Sequence, residues 1–121
     1  MAISTAQDYA SADAKSGFRL LRLIDIAFTE TLSGNKTLDA DIPTIYKPDP
    51  GGSARDITLE AEADNTGLVR FIINGADAAE NLVVKDDGAS TVGTLNQNEA
   101  GLFFCDGTSW NLLCIFTIAL S

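Results

Sequence analysis

The sequence predicts an all-β domain, a sandwich or a barrel, behind an N-terminal arm. Short runs in which apolar and polar residues alternate recur about every 8–12 residues. Gly, Asn or Asp separates one run from the next. No alternation of strands with helix-period segments is visible, so antiparallel pairing is expected. A chain of 121 residues, 45% of them hydrophobic, suits one domain with a core of its own.

Taken in order, residues 1–17 are rich in Ala, Ser, Asp and Thr, with Ile3 and Tyr9 the bulky apolar groups after the start. Such a segment has no broad face to bury and reads either as an arm, disordered alone or ordered against a partner, or as a frayed terminus. The domain is expected over residues 18–121. "FRLLRLIDIAF" opens it, with Phe18, Leu20, Arg22, Ile24, Ile26 and Phe28 on one face of a strand. Its first half also suits a helical period. "SGN" signals a turn, and "KTLDADI" resumes in β-like fashion. "IYKPDPGGSARD" holds Pro48, Pro50 and two adjacent glycines; prolines lack backbone donors, so a surface loop is expected there. "DITLEAEA", "GLVRFIING", "NLVVKDDG" and "STVGTLNQNEAGLFF" alternate as half-buried strands. The last run, "SWNLLCIFTIAL", places Trp110, Leu112, Cys114, Phe116, Ile118 and Leu120 on one face. Leu113, Ile115 and Ala119 lie on the other. Both faces are apolar, so one needs a second layer: a neighbouring subunit or the N-terminal segment.

Composition narrows the function. The net charge of −9 opposes nucleic-acid binding, which needs a basic stripe. Residues 1–22 carry two acids against three bases, so the negative charge belongs to the body. No apolar run reaches the length of a membrane span. No basic-then-apolar leader opens the chain, so synthesis in a cytoplasm is expected. The absence of histidine removes the commonest general base and most zinc sites, so no enzyme, catalytic residue, cofactor or metal is expected.

"FFCDGTSWNLLCIF" holds both cysteines. A two-residue turn at Asp106-Gly107 sets Cys114 opposite Glu99, and a four-residue loop over Asp106–Ser109 sets it opposite Gly101, in neither case opposite Cys105. With the four-residue loop the thiols stand about 13 Å apart along the strand, so no disulfide is expected. Asp39 with Asp41, and Asp86 with Asp87, read as turn formers, because calcium-loop spacing is missing. Lys85 and Ser109 have no visible activating partner.

"TLSGNKTLDADI", "ITLEAEADNTGLVRFIING" and "NLVVKDDGASTVGTLNQNEAGLFFCDGTSW" run as strand, Gly/Asn turn, strand, and close on an aromatic strand entered through Asp-Gly-Thr-x-Trp. From about Thr31 to Leu113 the chain thereby resembles small bacteriophage virion domains, namely head decoration (cement) proteins and related fibre or spike domains. The resemblance implies an antiparallel, jelly-roll-like β-sandwich on the capsid exterior. It implies a homotrimer that grips the major capsid protein through the arm, with Ile3, Tyr9, Phe18, Arg19 and Arg22 as contacts. Trp110, Leu112, Leu113, Ile115, Phe116 and Ile118 would form the core or subunit-contact strand. A fibre or spike tip that binds a host glycan or receptor through loops such as Lys47–Arg55 is the alternative.

Overall fold

The computed structural model describes residues 27–118. The arm, with Ile3, Tyr9, Phe18, Arg19 and Arg22, lies outside the described residues. Among the described residues nine strands form two sheets. The first joins β1 (Ala27–Thr31), β3 (Ile45–Asp49), β5 (Val69–Ile73), β8 (Glu99–Cys105) and β9 (Trp110–Thr117), in that order. The second joins β2 (Lys36–Thr37), β4 (Arg55–Thr58), β6 (Leu82–Lys85) and β7 (Thr91–Leu95). A 3₁₀ turn at Glu62–Asp64 precedes β5. Among the described residues there is no α-helix. No helix there is long and apolar enough to cross a membrane.

The β-rich prediction agrees with this architecture; the antiparallel pairing does not. From β1 to β6 the chain crosses between sheets at every step. β1, β3 and β5 therefore stack in parallel, as do β2, β4 and β6. Parallel neighbours need a crossover, usually a helix. Here a strand of the opposite sheet supplies it, which leaves no helical period to read. Only β5–β8, β6–β7 and β8–β9 pair antiparallel.

The expected loop at "IYKPD" is instead β3, inside the first sheet between β1 and β5. Tyr46 is fully buried there, as are Pro48 and Pro50. Proline is tolerated because successive residues of a parallel strand turn their backbone groups to opposite neighbours. Asp49 O accepts from Leu32 N, beyond β1, at 2.8 Å; Pro48 O accepts from Gly75 N, beyond β5, at 2.9 Å. Pro48's missing donor thus faces β5, where the ladder has already ended at Tyr46–Ile72. "KTLDADI" keeps only two residues in a strand before it turns; there Asp39 Oδ1 accepts from Asp41 N.

The core draws on both sheets: Tyr46, Ile72, Phe103, Cys105 and Trp110 from the first meet Ile57, Leu82, Val84 and Leu95 from the second. Two glycines let the sheets approach. A Cβ on Gly93 would stand 2.8 Å from Leu112, and one on Gly101 would stand 2.8 Å from Phe103. The Phe103 ring occupies the room these absent side chains leave.

Two buried polar side chains tie segments together. Arg70 pairs with Glu60 and donates to the carbonyls of Ile42, Pro43 and Asp39. Asn74 donates to Glu80 O and Leu95 O and accepts from Ala76 N. Each bonds to backbone groups of segments distant in sequence.

Candidate interaction surface

The β8–β9 hairpin ends the described chain. Its connection is the four-residue loop: Cys105 faces Trp110, Phe104 faces Asn111 and Phe103 faces Leu112. Asp106 organises the loop, accepting from Thr108 N and Ser109 N at 2.8 Å each and from Asn111 Nδ2 at 3.2 Å. Bonds from Ser109, Thr108 and Asn111 favour the carboxylate and lower its pKa. The side chain is exposed, so the effect on stability is small but has a definite sign. A depressed carboxyl contributes its stability above the unfolded value, about 3.9, and loses it as pH falls through the folded value. Thermal midpoints of wild type and Asp106→Asn are therefore expected to differ most above about pH 4 and to converge towards pH 2. A difference that does not change between those limits contradicts the assignment.

Beyond Leu112 the register shifts by one, so that Leu102 faces Cys114 and Gly101 faces Ile115. Leu113 is the extra residue of this bulge. The shift corrects the expected single face. Trp110 and Leu112 point into the core, where Leu112 lies against Gly93. Phe116 points outward and meets Phe71 edge-on, ring centroids 5.9 Å apart. Cys114 shares that outer face, while Cys105 is buried and directs its Sγ at Glu62 O. The two thiols therefore lie on opposite faces of the sheet. Ile115 follows Gly101, whose missing Cβ faces Leu95 of the second sheet, and so belongs to the inner flank. Leu113 shares its parity.

Among the described residues β9 is an edge strand. Leu113, Ile115 and Phe116 are 57%, 43% and 46% exposed, and Ile118 is half-buried. The strand thus forms a ridge with apolar side chains on both flanks. The outer flank continues over the sheet through Leu102, Phe104, Phe71 and Ile45, all half-buried. Trp110, expected in a core or subunit-contact strand, serves the core and donates from Nε1 to Glu60 O at 2.8 Å. Alternation along "GLVRFIING" allowed either face of β5 to be the outer one; the burial of Arg70 decided it.

Polar features lie at the opposite edge of the first sheet and on the second sheet. A groove of about 450 Å³ is lined by Thr29, Glu30, Thr31, Lys47, Asp49 and Gly75. Beside it Tyr46 donates its hydroxyl to Glu30, which also pairs with Lys36 at 3.2 Å. Burial, and then the Glu30 hydrogen bond, raise the Tyr46 pKa, so the phenol stays protonated. Carboxylate oxygens of Asp49, Asp77 and Glu80 lie within 4.8 Å of one another. Glu80 Oε1 is buried without a hydrogen-bond partner among the described residues. Three carboxylates supply part of the six to eight oxygens that calcium takes; backbone carbonyls or waters would have to complete such a shell. Glu62 titrates above the usual carboxylate range. A bond to its own backbone works against that, but the hydrogen bond shared with Asp87, burial, and the charges of Asp87 and Asp86 prevail. Lys85 pairs with Asp56 at 2.9 Å, which occupies it structurally.

Neither family models, curated proteins nor solved structures match this chain.

Proposed function

We propose that this chain is a non-enzymatic bacteriophage head decoration (cement) protein. It folds as a two-sheet sandwich, assembles as a homotrimer on the outside of the virion and stabilises the shell by binding the major capsid protein. The observation that carries this reading is the uncharged, two-flanked ridge of β9 on a chain of net charge −9. Such a surface suits association by burial at one place while the rest of the molecule stays solvated. The resemblance of the Gly/Asn-punctuated strands and the Asp-Gly-Thr-x-Trp entry supports the same reading. Residues 1–17 act as the capsid-gripping arm, with Arg19 and Arg22 beside it.

Sedimentation with purified empty shells of the virus whose genome encodes the chain tests this. The full chain is expected to pellet with shells and to raise their disassembly temperature. A chain lacking residues 1–17 should keep its β-sheet circular dichroism but stay in the supernatant. Failure of the full chain to bind shells overturns the proposal.

One observation favours the alternative, a fibre or spike tip. The polar groove includes Lys47 and Asp49, next to the Pro50-Gly51-Gly52 loop. Glycan binding abolished by Lys47→Ala, in a protein found on the tail, would establish that reading instead.

A further inference from the structure

We propose that β9 lies along the axis of the homotrimer, with the outer flank of each ridge packed against the inner flank of the next. This rests on the reading of the chain as a self-assembling virion component, and it identifies the contact and its symmetry.

The first argument is shape. The bulge at Leu113 sends Cys114 and Phe116 to one side of an edge strand and Leu113 and Ile115 to the other. A face-to-face pair related by a two-fold axis buries one flank twice and leaves the other in water. In a cyclic ring each copy offers one flank to each neighbour, so both are covered and the assembly closes.

The second argument is charge. Copies that each carry −9 repel one another, so they must meet where no charge is desolvated. β9, "WNLLCIFT", contains no charged residue. The neighbouring outer positions, Phe71, Leu102 and Phe104, are uncharged too.

The third is edge protection. Natural edge strands are blunted by lysine, proline, shortness or cover. β9 spans eight residues, the longest strand described, and has neither lysine nor proline. Left bare, it is a template for uncontrolled pairing; on a closed axis it is covered.

The experiment is native mass spectrometry of the full chain with three variants: Phe116→Asp on the outer flank, Leu113→Asp on the inner flank, and Ala54→Asp on a remote exposed loop as control. Wild type and the control are expected as trimers. Each flank variant should weaken association roughly tenfold or more, as loss of a central contact does. Both target side chains are exposed, so circular dichroism should show an unchanged fold. The chain carrying Phe116→Lys and Leu113→Asp together should regain the trimer, because lysine of one copy then faces aspartate of the next. A monomeric wild type overturns the proposal, as does a trimer indifferent to both flank variants. Sensitivity to Phe116→Asp alone indicates face-to-face packing and also overturns it. So does a monomer whose Cys114 reacts with maleimide only after residues 1–26 are removed, since the chain's own N-terminal segment then covers the outer flank. A trimer that ignores empty shells refutes the decoration role and leaves this contact standing.

Discussion

Arg70→Met is expected to lower the unfolding free energy by about 3–5 kcal/mol, the usual loss when one partner of a buried ion pair is removed. The guanidinium is almost fully buried and makes an ion pair plus bonds to three carbonyls. It anchors both the Asp39–Pro43 turn and the Glu60 segment to β5. Methionine fills much of the volume but leaves the Glu60 carboxylate and those carbonyls unpaired in the interior. Removing the charge as well, in Glu60→Gln with Arg70→Met, should recover part of the loss, since the orphaned ion is the costly species. Urea denaturation of the three chains measures this. A loss below about 1 kcal/mol in the single variant would place Arg70 at the value of an exposed ion pair.

Phe103→Ala is expected to cost a similar amount, about 3–5 kcal/mol, as truncation of a buried aromatic does. The ring has no exposure and lies where Gly93 and Gly101 carry no side chain. No neighbouring side chain at those two positions can collapse into the space, so the cavity persists. Phe103→Leu should cost distinctly less, because it keeps most of the apolar volume. Equal losses for the two would show that the site relaxes, contrary to the packing described. These residues also hold β8 in place beside β9, so the Ala variant should loosen the ridge along with the core.

How far the sequence could be read depended on the physics each signal carries. Alternation in "NLVVKDDG" located a strand and its buried residues, and in "DITLEAEA" it found the buried Ile57 and Leu59, although that strand ends at Thr58 and Glu62–Asp64 turns as a 3₁₀ segment. Asp106-Gly107 marked the terminal hairpin, and the four-residue alternative for its loop proved to be the register adopted. The pairing of Phe104 with Asn111 and of Cys105 with Trp110 was thus legible. β3 was not. Proline in "IYKPD" argued for a loop, and only the end of the β3–β5 ladder explains how the strand accommodates it. Arg70 was legible as one member of an alternating run but not as a buried hub. Its partners are separated from it by 10 residues at Glu60 and by 28 at Ile42.

The candidate surface divides in the same way. An apolar final strand with two greasy faces is visible in "WNLLCIFT". Its division into a core end at Trp110 and Leu112 and a ridge at Leu113, Ile115 and Phe116 comes from a single inserted residue. A bulge of that kind reflects how β9 must bend to follow β8, and its position has no local signature in the sequence. The groove at Thr29, Lys47 and Asp49 joins two strands that parallel stacking brings together.

By itself, then, the sequence determined a β-rich chain, its strand positions from Asp56 onward, its acidic surface and its apolar last strand. These depend on local alternation, turn chemistry and composition. Tertiary structure alone decided which strands are neighbours, that six of them stack in parallel across two sheets, and which flank of β9 each apolar residue occupies. Parity specifies a face but not a partner. Partners are settled by how crossovers close and by which buried donors and acceptors must find one another.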